Sequence, residues 1–161
     1  MATRYFSRFL SSDGTTSGTK DMSTTADEYY IQDSTQSLDI YRMLVCYQDG
    51  GGGNVAEYGN LGSALSTGIE VKVIRRNGTS VLLDLTDGVP VKSNGEWARL
   101  CYDYQQIGHG AGDDIFAVRW TFTNGGSPIR LEPGQSLRMI INDDLSLLTT
   151  HFAIVQGQYL G

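Results

Sequence analysis

The sequence predicts an all-β chain: an antiparallel β-sandwich, a jelly roll of about eight strands, behind a polar N-terminal arm or linker. Three observations carry this. Apolar and polar residues alternate over short runs, the period of a strand with one buried side. Asn77-Gly78, Asn94-Gly95 and Asn124-Gly125 lie next to such runs and offer the positive φ angles of tight turns. No long stretch carries the helical period.

The elements follow in chain order. RYFSRFL brings Tyr5, Phe6, Phe9 and Leu10 close together, four large apolar groups that need a partner. It reads either as the first strand of the sandwich or as an arm that docks on a neighbouring subunit. From Ser11 to Thr25 every residue except Lys20 and Met22 is Ser, Thr, Asp or Gly, a composition with too little apolar area to offset ordering. Residues 1–27 are therefore expected to be a strand or arm with its linker, and residues 28–161 the sandwich. Because the linker could let the N-terminal run reach a neighbour, that run is expected to contribute more to assembly than to folding.

DEYYIQ and LDIYRMLVCYQ open the sandwich. Gly50 to Gly53 then begin a slack segment, and EYGNLGSALSTG holds at most a turn or two of helix among its glycines. The clearest signal is IEVKVIRRNGTSVLLDL, where Ile69, Val71 and Val73 alternate, Asn77-Gly78 turns the chain, and Val81, Leu83 and Leu85 resume. EWARLCYDY and DDIFAVRWTFT follow, the latter with Phe116, Val118, Trp120 and Phe122 on one face. LEPGQSLRMIIND reads as a turn at Pro133-Gly134 and a strand, and THFAIVQGQYL as the last strand.

Composition bounds the function. At 161 residues the chain fits one domain, which at that size buries roughly 70% of its unfolded surface and needs no metal or disulfide staple. Charged residues are 19% and the formal net charge is -6. That charge argues against nucleic acid, whose binding is driven by Lys and Arg, and against an anionic membrane. The N-terminus lacks the apolar core of a signal peptide and no segment is long enough to span a bilayer, so synthesis in the cytoplasm is expected. Cys46 and Cys101 sit within apolar runs and read as small core residues; a disulfide requires their strands to be neighbours.

No catalytic constellation stands out. There is no P-loop, no nucleotide-binding glycine pattern and no nucleophile elbow. His109 and His151 are the only histidines, too few and too isolated for the usual catalytic metal set. Asp113-Asp114 and Asp143-Asp144 read first as turn and strand-end residues, with calcium binding or catalysis as alternatives. No enzyme, cofactor or metal is expected.

RFLSSDGTTSGT, AEYGNLGSALSTGI, VLLDLTDGVPVKSNGEWARLCYD, VRWTF and IRLEPGQSLRMIINDDL together resemble a family of small virion proteins of tailed bacteriophages. The resemblance runs from about Arg8 to Tyr159. It implies a virion structural role and supplies no catalytic residue. Comparable small phage jelly rolls decorate or cement heads, commonly as trimers, and others sit in necks, head fibres or tails. The expected partners are the major capsid protein or other virion proteins and further copies of the chain, within a virion assembled in the host cytoplasm. Candidate interface residues are Tyr5, Phe6, Phe9 and Leu10, with Tyr58, Leu61 and Leu65 beside the glycine run, whose slack backbone suits close approach to a partner; a merely solvated loop is the alternative. A carbohydrate-binding or adhesin module of a tail or head fibre is the competing function, with Tyr29, Tyr30, Tyr58, Tyr102 and Tyr104 as stacking platforms.

Overall fold

The computed structural model describes residues 4–11, 27–48, 68–85, 92–93, 101–108, 114–121, 128–145, 148 and 150–161. They contain eleven strands: β1 (Arg4–Phe9), β2 (Asp27–Gln32), β3 (Ser37–Gln48), β4 (Ile69–Arg75), β5 (Gly78–Leu85), β6 (Lys92–Ser93), β7 (Cys101–Gly108), β8 (Asp114–Thr121), β9 (Ile129–Leu131), β10 (Ser136–Ile141) and β11 (Thr150–Leu160). Among the described residues there is no helix. One sheet runs β1-β11-β3-β8-β7, with β9 also on β3, and the other runs β2-β10-β4-β5-β6. Every pairing is antiparallel.

The strands β1-β11-β3-β8 and β2-β10-β4-β5 form the two four-stranded sheets of a jelly roll, as predicted. The eight runs read from alternation are β2, β3, β4, β5, β7, β8, β10 and β11. In the structure β1 supplies the eighth jelly-roll strand and β7 is an added edge beside β8. The N-terminal run thus pairs along its length with β11, from Arg4 opposite Tyr159 to Phe9 opposite Ile154. Its end is tied to both sheets: Leu10 N–H donates to Ala153 O at 2.9 Å, and Ser11 exchanges backbone hydrogen bonds with Tyr30 at 3.2 and 2.9 Å.

The core lies between the sheets. Tyr29 and Ile31 of β2, Ile69, Val71 and Val73 of β4, and Leu137, Met139 and Ile141 of β10 face Leu38, Ile40, Met43 and Val45 of β3 and Ala153 and Val155 of β11 in one buried cluster. Each large aliphatic side chain buried there contributes about 1.5 to 3 kcal/mol before ordering entropy is subtracted. The alternation that marks β4 and β10 in the sequence is their inward stripe. For β8, Val118 and Trp120 register opposite Val45 and Met43; Phe122 lies outside the described residues.

Two register shifts interrupt the ladders. On β11 Gln156 pairs with Arg42 and Gly157 with Ile40, which leaves Tyr41 as an extra residue in β3. The inward set of β3 therefore changes parity, from Leu38 and Ile40 to Met43 and Val45. Gly157 lies opposite this bulge, and a Cβ there would sit 2.1 Å from Asp39 O and 2.8 Å from Phe6 Cζ. The second shift, between Val71 and Lys72, puts Leu83 opposite Val71 but Val81 opposite Lys72. The expected single alternation through Val81, Leu83 and Leu85 is thus broken at Leu82.

Turns follow their local chemistry. Gly78 takes φ 135 after Asn77, and Gly134 takes φ 82 after Pro133. Asp33 accepts from the Thr35 and Gln36 backbone N–H groups at 2.8 and 2.9 Å. Although burial would raise its pKa, these bonds and the Thr35 hydroxyl hold it below the usual carboxylate value. Asp143 Oδ2 accepts from Gly68 N–H at 2.5 Å, the strand-end role expected of it.

Candidate functional site

The four candidates on the N-terminal run separate by side. Leu10 is in the core at 1% exposure, and Phe6 packs on Tyr159 with ring centroids 5.0 Å apart at the core margin. Leu10 cannot meet a partner without unfolding. Tyr5 is 75% exposed, and Phe9 meets Phe152 edge-on at 5.6 Å on the outer side of the sheet. Tyr58, Leu61, Leu65 and Gly50 to Gly53 lie outside the described residues, as does His109.

Several expectations are corrected. Tyr29, proposed as a sugar platform, is buried at 1% exposure. Tyr30 is half-buried with the Arg138 guanidinium 4.8 Å from its ring centroid. Tyr102 and Tyr104 lie on β7. Cys46 is half-buried, next to the inward Val45 and outside the core cluster, and burial pushes its thiol pKa up. Its strand is not adjacent to that of Cys101, because β8 lies between β3 and β7. Cys46 registers with Ala117 and Gln105, whereas Cys101 registers with Thr121. Two strand spacings, about 10 Å, already exceed the roughly 7 Å span of a disulfide.

The parity of the β1-β11-β3 sheet turns a distinct set of side chains outward. One row crosses four strands: Tyr5 opposite Gln158, Gln158 opposite Asp39, Asp39 opposite Arg130. Arg130 grips Asp39 with a fork, Nε to Oδ1 and Nη2 to Oδ2, both at 2.8 Å, and Gln158 Nε2 donates to Asp39 Oδ2 at 3.4 Å. Asp39 is 4% exposed and Arg130 56%, so the carboxylate is covered and the guanidinium is presented. The hydrogen bond to Asp39 raises the Arg130 pKa further.

The bulge extends this row. With Ile40 and Met43 both inward, Tyr41 and Arg42 stand as consecutive residues between them, and the Tyr41 hydroxyl pKa is raised by burial, then by the charge of Asp39 and the neighbouring Tyr5. Arg42 is exposed and forms no ion pair among the described residues. Further along the sheet the outward positions become apolar: Phe9, Ile154 and Leu44 share one row, and Phe152 and Cys46 the next. All five are half-buried.

The surface is thus a hydrogen-bonded sheet face, arginine- and tyrosine-bearing at one end and apolar toward the other. Such a mix of aromatic residues and Arg, with few acidic residues and no Lys, is the composition of a protein interface core. Of its members the sequence reading named Tyr5 and Phe9 and missed Asp39, Tyr41, Arg42, Arg130 and Gln158. The available signal was the three-residue step from Ile40 to Met43, which breaks strand alternation.

His151 is elsewhere, buried at 1% exposure, and burial pushes its pKa down to about 3. Among the described residues no three His, Cys, Asp or Glu side chains gather closely enough to hold a metal ion. No protein-family model, curated protein or solved structure matches the chain.

Proposed function

We propose that this chain is a phage virion structural protein, a capsid decoration or cement protein that binds the head surface and stabilises it, working as a homo-oligomer with a trimer the form its sequence resemblance implies. The observation that carries the reading is the outer face of the β1-β11-β3 sheet, where Tyr5, Arg42 and Arg130 stand at one end and Phe9, Phe152, Ile154 and Leu44 lie toward the other. A rigid sheet already satisfied in its backbone hydrogen bonds loses little entropy on docking, so side chains of this kind can contribute to binding with little offset. The carbohydrate-binding alternative has less support, because Tyr29 belongs to the core and the Tyr30 ring carries Arg138. Mass spectrometry and cryo-imaging of the parent particle test the proposal. Dense, symmetric density for this chain on heads is expected, and a few copies confined to a tail fibre would overturn it.

A further inference from the structure

The strand β1 ends one side of the β1-β11-β3 sheet and carries an open edge. Its backbone directions are fixed where it meets β2. Leu10 N–H donates to Ala153 O of β11, and the next residue, Ser11, exchanges both of its backbone groups with Tyr30 on the other side. Because these directions alternate along a strand, Arg4, Phe6 and Arg8 turn their N–H and C=O groups toward β11, and Tyr5, Ser7 and Phe9 turn theirs away. Among the described residues nothing bonds the backbone of those three on the open edge. Native edges are commonly blunted by Lys, Pro or a bulge. The run RYFSRF has no Lys and no Pro, and its register with β11 is unbroken from Arg4 to Phe9. Tyr5 and Ser7 are exposed on it.

We infer that β1 pairs antiparallel with β1 of a second copy of this chain, about a two-fold axis at Ser7, so that the two sheets join along their edges. The occupant is argued from self-complementarity. The open groups belong to odd-numbered residues in both copies, so odd must meet odd. With Ser7 opposite Ser7, Tyr5 of each copy meets Phe9 of the other, and every open donor and acceptor on both edges is used. Sliding the register toward the N-terminus leaves Phe9 opposite a residue beyond β1 and sets Arg4 against Arg8. Sliding it toward the C-terminus sets Arg8 against Arg8 and calls on the Ser11 groups that Tyr30 already holds. Like charges directly opposite are destabilising. In the Ser7-centred register Arg4 falls opposite Leu10 and Arg8 opposite Phe6, so no arginine meets another. On the outward side Tyr5 comes beside Phe9 of the second copy, which extends the Phe9–Phe152 ring contact into a cross-strand aromatic pair. The contact is isologous and closes at two copies. It is separate from the sheet face proposed to dock on a head and from the three-fold association that the resemblance implies, and it holds whether or not the chain decorates a head.

Sedimentation velocity of the full chain over a dilution series, with amide hydrogen exchange at both ends of the series, tests it. The wild type is expected to form dimers. Dimerisation should slow exchange at the Tyr5, Ser7 and Phe9 amides and leave those of Phe6 and Arg8, already bonded to β11, little changed. Ser7→Pro removes a donor that β11 does not use, and Pro is tolerated where the N–H side of an edge strand faces solvent. It should retain the fold by circular dichroism and lower the association constant by about a hundredfold or more, through lost bonds and a ring set in the path of the second strand. Ser7→Ala, which keeps the backbone donor, should stay within about threefold of wild type. Tyr5→Ser should weaken association by about fivefold through loss of the aromatic pair. A wild type that is monomeric throughout the series overturns the inference, including the case in which the monomer binds only to phage shells. So does a dimer whose Tyr5, Ser7 and Phe9 amides still exchange freely, a pattern that decides the question without any variant. Ser7→Pro association as tight as that of Ser7→Ala overturns it too, as do odd-numbered assemblies that Ser7→Pro abolishes, since an isologous contact joins copies in twos.

Discussion

On the β2-β10-β4 sheet the outward side chains answer one another. Arg138 Nη1 bonds Glu28 Oε2 at 2.6 Å and its guanidinium lies over Tyr30, while Lys72 pairs with Glu70. On the β1-β11-β3 sheet Asp39 is covered by Arg130 and Glu132 accepts from the Ser37 hydroxyl at 2.9 Å, and Tyr5, Arg42, Phe9, Leu44, Phe152 and Ile154 are left to face outward. The two faces cover the same core, so folding alone does not require them to differ. A face whose charges are paired along its own strands gains little from a partner. A face that leaves aromatic and aliphatic side chains outward gains from one.

The largest effect expected within this comparison is at the bulge that shapes the docking face. Gly157→Ala would drive a Cβ to 2.1 Å from Asp39 O, and backbone cannot yield as a side-chain tip can. A loss of about 3 kcal/mol is expected, read as a lower denaturation midpoint. The turn glycine Gly134, with nothing within 4 Å of its Cβ position, should show only the smaller cost of its positive φ when replaced by Ala. Equal losses at the two sites would remove the packing argument for the bulge.

Next come the ion pairs of the two faces. Asp39→Ala removes a 4% exposed carboxylate that holds two 2.8 Å bonds, and about 2 kcal/mol should be lost, below the cost for a fully buried pair because Arg130 can be solvated. Glu28→Ala breaks a pair with side chains 30% and 44% exposed, worth less than about 1 kcal/mol. Urea titration of both variants measures the difference, and a reversed order would contradict the assignment of which face holds the stronger pair.

Apart from the two faces, a pH slope is expected from β11. The folded pKa of His151 is about 3 against the ordinary 6.5, so the unfolded chain takes up the proton first as pH falls. Its contribution is complete above pH 6.5 and is lost between pH 6.5 and 3, at up to about 1.4 kcal/mol per pH unit. His151→Gln should flatten the stability curve between pH 6.5 and 5, where few carboxylates yet titrate. An unchanged slope in that variant would mean that His151 does not titrate with unfolding.

Much of the fold was legible because it is local. Alternation at Ile69, Val71 and Val73 and the Asn77-Gly78 pair specify a hairpin within a few residues of chain. The pairing of β1 with β11 was not legible, because Arg4 and Tyr159 meet only through the closure of the whole sandwich. That is why RYFSRFL reads equally as a strand or an arm. The two-residue β6 and three-residue β9 are too short to show a period. The candidate face was the least legible feature. Asp39 and Arg130 are 91 residues apart, and only the bulge at Tyr41 and the neighbouring β9 bring Tyr41, Arg42 and Arg130 to one surface.

The most direct test of the contrast between the faces is a labelling footprint of the protein bound to phage heads, compared with the free protein. Hydroxyl-radical oxidation reads tyrosines on both sides: Tyr5 and Tyr41 on the β1-β11-β3 sheet, and Tyr30 on the other. Binding should protect Tyr5 strongly and Tyr41 in part, and leave Tyr30 unchanged. Protection of Tyr30 with Tyr5 still fully reactive would place the contact on the self-paired sheet and contradict the account.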